Sequence, residues 1–271
     1  MPVDVSLAYA GERIRKNDMY VELGGPDIKE KFELVKVRPA DQVSDGAMKI
    51  IGPDIADMTP QGKYPLGILI EIAGSGLETD FEGVIERRIH EYANYIEGFM
   101  HLNQRYDIWV RLSKKSFNKG LNSLTYVGRV LERLLKNEFT IIERMQVTFY
   151  TDAEKIPEAY AEAKGAYEAR DARARGLTDE DVDVFYGCAL CQSFAPSHVC
   201  VITPQRYANC GAISWFDGRA SARIDPNGLI FPIQKGQCLD PEKGEFSGVN
   251  ESAKKRSLGE VDRVYLYSAF N

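Results

Sequence analysis

The chain has 271 residues, 44% of them hydrophobic and 27% charged. That balance belongs to ordinary globular proteins and excludes a disordered tail, a collagen-like rod or a disulfide-dense miniprotein. The net charge is −6 with no long block of Lys or Arg, which argues against a nucleic-acid partner, because phosphate backbones select a basic face.

No stretch approaches the roughly 18 apolar residues of a membrane helix. The opening MPVDVSLAYAGERIRK has no apolar core of a secretory signal. The expectation is a cytoplasmic chain of about two domains with no membrane partner. In chain order, short strands are predicted at Tyr20 to Leu23, Phe32 to Val37 and Met48 to Ile51. The run Leu66 to Ala73, bounded by Pro65 and Gly74, predicts a buried strand. Thr79 with Glu82 three residues later predicts a capping box. Phe81, Ile85, Ile89, Tyr92, Ile96 and Phe99 then recur at helical spacing and predict an amphipathic helix. A strand over Tyr106 to Leu112, a helix over Val127 to Leu135 and a strand over Ile142 to Tyr150 follow. Alternating strands and helices suggest one mixed α/β sheet domain. Pro157 to Arg175 reads as a connector helix with a solvated charged face, its apolar stripe limited to Tyr160, Ala163 and Tyr167. Beyond it Gly, Pro, Cys and aromatics dominate, with short strands at Val199 to Thr203, Leu229 to Ile233 and Arg263 to Ser268. The fold class is α/β or α+β.

No cysteine precedes Cys188. Four then stand as Cys188-x2-Cys191-x8-Cys200-x9-Cys210, and Cys238 follows alone. Clustered thiols in a reducing compartment are metal ligands or redox groups more often than disulfide partners. A four-thiolate zinc site and a cubane iron–sulfur cluster both remain open. One knuckle with two spread ligands favours the cubane, since zinc ribbons usually pair two Cys-x2-Cys knuckles. His198 reads as a hydrogen-bonding or surface residue, because four thiolates already complete a cubane. His90 and His101 show no motif spacing, and Cys238 reads as a structural or surface thiol.

The stretch from Asp181 to Pro196, DVDVFYGCALCQSFAP, resembles acetyl-CoA synthase, the β subunit of acetyl-CoA decarbonylase/synthase complexes. The likeness continues through Cys200-Val201, Cys210-Gly211-Ala212-Ile213 and Trp215 to Ala220. It also covers Met100 to Asp107 and Met145 to Thr151. The alternation and the later change in composition place domains at 1–152 and 177–271, joined by the connector at 153–176; the resemblance makes the first the family's middle domain and the second an incomplete metal-cluster domain. It implies a [4Fe-4S] cluster on Cys188, Cys191, Cys200 and Cys210, with Cys191 bridging to nickel and Phe194 beside that metal. The implied reaction joins a methyl group from a corrinoid iron–sulfur protein with CO and passes the acetyl group to coenzyme A, in a complex with carbon monoxide dehydrogenase. The family's second nickel is held by a Cys-Gly-Cys tripeptide that these 271 residues do not contain. The expectation is therefore a chain that holds the cubane but is inactive in acetyl transfer by itself. The alternatives are a [4Fe-4S] electron-transfer protein and a zinc-stabilised interaction module.

Anionic coenzyme A needs cationic contacts. Arg105 and Arg111 are candidates, with Lys114 and Lys115 close by, and Trp109 is a candidate for stacking on adenine, although its place in an alternating strand favours core packing. Gly74-Ser75-Gly76 is a weak phosphate candidate without the full glycine fingerprint. Asp217, Gly218 and Arg219 are candidates to support the cluster from behind its ligands.

Overall fold

A computed structural model describes residues 3–5, 14–104, 107–193, 195–211 and 213–267. The mixed content of strands and helices makes the fold α+β. The chain divides into two compact units, Met1–Glu168 and Ala169–Asn271. No helix among the described residues is long and apolar enough to cross a membrane.

The first unit contains β1 (Met19–Gly24), β2 (Lys31–Val37), β3 (Met48–Ile51), β4 (Lys63–Tyr64), β5 (Leu66–Ala73), α1 (Glu82–Ala93), β6 (Phe99–Gln104), β7 (Asp107–Ser113), α2 (Lys114–Asn118), α3 (Leu124–Glu138) and β8 (Arg144–Tyr150). They build two four-stranded sheets rather than one, ordered β4-β1-β7-β6 and β2-β5-β8-β3. In the second, β2 runs parallel to β5, β3 runs parallel to β8, and β5 meets β8 antiparallel. Ile68, Ile70 and Ile72 of β5 and Met145, Val147 and Phe149 of β8 are each buried to within 2%. Burying each such side chain is worth about 1.5–3 kcal/mol.

Strand β2 lies at a sheet edge, where unpaired amides invite another chain. Two carboxylates of α1 occupy them: Glu86 accepts from the Val35 N–H at 2.9 Å and Glu82 from the Val37 N–H at 2.7 Å. This corrects the expected capping box. Glu82 is drawn to β2, Thr79 opens a short 3-10 turn, and that turn has no side-chain cap. The helix also stops at Ala93, so Phe99 starts β6 instead of ending a helix.

Helix α4 (Ile156–Arg175) spans the division between the units. Its thin apolar stripe is not left to solvent: Ile156, Ala163 and Tyr167 are buried with Phe32 and Leu34.

In the second unit, β9 (Val184–Cys188) is the centre of a sheet with β10 (Cys200–Ile202) and β11 (Ile230–Gln234). Helix α5 (Trp215–Ile224) precedes β11. The pair β12 (Cys238–Asp240) and β13 (Glu245–Phe246) leads into α6 (Ser247–Arg256). Phe185, Ala189, Val201, Phe231, Ile233, Phe246, Val249 and Leu266 form the core. The strand expected over Arg263 to Ser268 is absent across its described residues. Leu266 and Tyr267 instead donate single backbone bonds to the carbonyls of Gly244 and Lys243, and Val264 donates to the Asn250 side chain. Apolar docking without a ladder explains why the segment reads as a strand.

Candidate metal centre

The antiparallel register sets Cys200 of β10 directly opposite Cys188 of β9. Both are buried, at 7% and 5% exposure. The chain leaves β9 into a 3-10 turn, Leu190–Ser193, which carries the half-buried Cys191. Successive turns then return it to β10: Gln192 donates to the Ala189 carbonyl, Ala195 to that of Cys191, and His198 to that of Ala195. Cys210 is exposed and lies on a tight loop, in which Gly211 donates to Ala208 at 2.7 Å and Ala208 to Ile213 at 2.9 Å. Gly211 takes φ +71°, a conformation natural to glycine.

The four sulfurs are near enough to feel one another. Burial first, then the charges of Cys200, Cys210 and Cys191, push the Cys188 thiol up to about 12, against a hydrogen bond from the Leu190 backbone. Burial likewise raises Cys200, aided by the charges of Cys210 and Cys191, while a backbone hydrogen bond from Asn209 lowers it. Without a cation the raised pKa values keep Cys188 and Cys200 as neutral thiols. A cation shared by four neighbouring sulfurs would hold them as thiolates, and the backbone donors at two of them favour that form, so the donor set fits a metal cluster. Among the described residues no three His, Cys, Asp or Glu side chains converge on one ion. A cubane makes a different demand, one thiolate on each of four separate irons. Cys238 stands exposed on β12 and takes no part in this cluster of electrostatic partners.

His198 Nε2 lies 3.2 Å from Cys200 Sγ, in keeping with a hydrogen-bonding histidine. Phe194 lies outside the described residues. Of the residues after the fourth cysteine, Asp217 completes the capping box of α5 with the N-cap Ser214, accepting from the Ser214 backbone at 2.7 Å. Gly218 lets α5 approach β9, since a Cβ there would meet Tyr186 Cβ at 2.8 Å. Arg219 lies over the rings of Trp215 and Phe216. Their visible work is to fix the helix that follows Cys210.

The coenzyme A candidates lie in the first unit. Arg105 is outside the described residues. Ile108, Val110 and Leu112 of β7 point into the core, which turns Trp109 and Arg111 to the other face. Trp109 is therefore half-buried, not a core residue, and the Arg111 guanidinium stacks 4.4 Å from its ring. Arg111 also donates to Glu22 at 2.8 Å. Burial raises the Glu22 pKa, but the Arg111 hydrogen bond and the charges of Arg111 and Lys63 outweigh it and hold the carboxyl below its usual range. Lys114 donates to the Asn17 carbonyl and Lys115 pairs with Glu97. At Gly74-Ser75-Gly76 the Ser75 N–H and hydroxyl both donate to Glu143, so that amide is already taken.

The sequence reading missed one buried polar group. His101, fully buried on β6, donates through Nε2 to the Glu33 carboxylate of β2, which also accepts from Asn103. The Nδ1 atoms of His90 and His101 are 3.1 Å apart, and Asn94 bridges the backbone of both. Burial first, then the charges of His101 and Arg87, push the His90 pKa down to about 3.

Residues 1–156 match the family described as "CO dehydrogenase/acetyl-CoA synthase complex beta subunit", and residues 167–271 match the family of the C-terminal part of the ACS/CODH beta subunit. The chain is 51% identical over 270 residues to acetyl-CoA decarbonylase/synthase complex subunit beta 2 of Methanosarcina thermophila, covering 100% of this chain and 57% of that protein. It is 54% identical over 271 residues to the beta subunit of Methanopyrus kandleri, covering 99% of this chain and 57% of that one. With subunit beta 2 of Methanocaldococcus jannaschii it shares 54% over 269 residues, 99% of this chain and 56% of that protein. The chain thus spans little more than half the length of these relatives.

Proposed function

Since the chain belongs to the family of CO dehydrogenase/acetyl-CoA synthase complex β subunits, we propose that it carries the cluster-binding part of an acetyl-CoA synthase/decarbonylase. It would work beside carbon monoxide dehydrogenase and a corrinoid iron–sulfur protein. The observation that carries the reading is the quartet Cys188, Cys191, Cys200 and Cys210, two on facing strands and two on the loops that leave them. When bound, a nickel–iron–sulfur cluster supplies the centre at which a methyl group and CO are joined and passed to coenzyme A.

The chain's own residues do the rest. Strands β9 and β10 hold Cys188 and Cys200 in a fixed register. The half-buried Cys191 would serve nickel as well as iron, since soft thiolates suit a low-valent, carbonyl-binding metal. Phe194 is the aromatic assigned to limit access beside it. Arg111 and Trp109, stacked on a half-buried strand face, and Arg105 are the groups proposed for coenzyme A. Because Arg111 is already paired with Glu22, its help to an anion comes at the expense of that pair.

The test is anaerobic reconstitution of the 271-residue chain with iron, sulfide and nickel, followed by elemental analysis and an acetyl-transfer assay. The expected result is about four irons held, with acetyl transfer appearing only in a version that also contains the Cys-Gly-Cys segment. Bound zinc in colourless protein overturns the reading. Full acetyl transfer by the 271 residues alone overturns the assignment of the second nickel to that segment. For coenzyme A, Arg111→Gln and Trp109→Leu are expected to weaken equilibrium binding several-fold; unchanged affinity in both removes them from the site.

A further inference from the structure

Residue His198 has no assigned role among the metal ligands, yet it is held beside one of them. Its backbone N–H donates to the Ala195 carbonyl at 2.9 Å, which closes the last turn of the loop between Cys191 and β10. The chain then extends. In extended backbone, residues two apart share a side, so His198 and Cys200 face together while Val199 between them packs against the core. The result is the Nε2–Sγ separation of 3.2 Å. Cys200 is buried and His198 half-buried, so water competes weakly for this contact.

The direction of the hydrogen bond follows from the chemistry of the sulfur. A thiol both donates and accepts. A thiolate bound to iron has no proton to give and can only accept. Next to a bound cluster the bond must therefore run from the Nε2–H of His198 to the sulfur of Cys200. The neutral imidazole tautomer with its proton on Nε2 is sufficient. The Asn209 backbone already donates to the same sulfur. Cys200 is thus the ligand of this quartet with both a side-chain and a backbone donor among the described contacts.

Resting on the reading that the four cysteines hold a cubane, we propose that His198 is a positioning residue that donates to the Cys200 thiolate and raises the cluster's reduction potential. Hydrogen bonds to cluster sulfurs withdraw electron density and stabilise the more electron-rich state. The residue ligates no iron and touches no substrate. Its effect passes through Cys200.

The experiment compares the reconstituted chain with His198→Leu and His198→Gln variants. Leucine removes the donor, and glutamine restores an N–H at a similar reach. Iron and sulfide are counted, and each cluster is titrated anaerobically with dithionite in the presence of mediators, one electron passing from dithionite to the cubane. All three proteins are expected to hold equal iron. At the wild-type midpoint potential, the ratio of reduced to oxidised cluster in His198→Leu is expected to fall about tenfold, equivalent to about 59 mV for one electron. His198→Gln is expected to recover most of that loss.

An unchanged midpoint in His198→Leu at full iron content overturns the proposal and leaves the cluster reading intact. Loss of one iron in both variants also overturns it, since that marks His198 as a ligand. A colourless, iron-free wild-type chain removes the cluster reading and this proposal together.

Discussion

The imidazole of His101 and the carboxylate of Glu33 meet in the interior from strands of two different sheets, β6 and β2, and both side chains are fully buried. Glu33 also accepts from Asn103, so its removal strands two donors. Breaking one side of such a buried pair costs about 3–5 kcal/mol. Glu33→Ala is expected to lower stability by that amount in urea unfolding, and Glu33→Gln, which keeps an acceptor, by about half as much. A loss below about 1 kcal/mol in Glu33→Ala would show that the contact carries little weight.

A second prediction concerns acid. His90 is held neutral, with a pKa of about 3 in the fold, by burial and by the charges of His101 and Arg87. Its unfolded value is about 6.5. The unfolded chain therefore binds the extra proton between those two values. Stability is complete above about pH 6.5 and declines as pH falls toward 3. Most carboxylates titrate below about 4.5, so the interval from 6.5 to 4.5 isolates the histidine. The expected loss there is about 2 kcal/mol, measured by unfolding at stepped pH. His90→Gln should flatten the profile, and an equal slope in that variant would assign the acid sensitivity elsewhere.

Metal retention provides a third. Serine at Cys188, Cys191, Cys200 or Cys210 is expected to lower bound iron and bleach the visible absorption. Cys238→Ser, altering an exposed thiol on β12, is expected to leave both intact. Equal loss at Cys238, or no loss at Cys188, contradicts the assigned ligand set.

The contact of α5 with β9 yields a fourth. A methyl group at position 218 would lie 2.8 Å from Tyr186 Cβ. Gly218→Ala gains helix propensity of about 1 kcal/mol, but overpacking of this kind typically costs about 1–3 kcal/mol. The helix and its neighbour are both backbone-anchored, so the net effect is expected to be destabilising by about 1 kcal/mol or more in thermal or urea unfolding. An unchanged midpoint would mean that α5 moves away freely.

What the sequence displayed and what it concealed differ for physical reasons. Strands β3 and β5 are legible to the residue because apolar runs end at Gly52-Pro53 and Gly74. The clustering of four cysteines is visible in the sequence, and the residues around them carry the likeness to a family. Strand β6 is not. Its inward residue is His101, at 0% exposure, and its outward neighbour is Leu102, at 43%, which inverts the pattern that marks a strand. The same inversion hides the contact between His90 and His101, since a helix residue and a strand residue eleven positions apart have no common period. Glu82 misleads because a carboxylate serves a neighbouring strand as well as its own helix terminus. Arg111 shows a charge, but not the partner, Glu22, that lies 89 positions earlier.

The register that sets Cys188 against Cys200 has a consequence for the protein in air. Facing residues of an antiparallel pair have Cα atoms about 4.5–5.5 Å apart, inside the span that a sulfur–sulfur cross-link tolerates. Once stripped of metal and exposed to dioxygen, the two strand cysteines are expected to join, surrendering two electrons and two protons to the oxidant. Half of the ligands would then be withdrawn at once, and refilling would stall until a reductant is supplied. Mass analysis of aerated, metal-free protein without reductant should show a loss of two hydrogens mapping to the peptides of Cys188 and Cys200, and its absence there would mean that the strand pair holds the sulfurs apart.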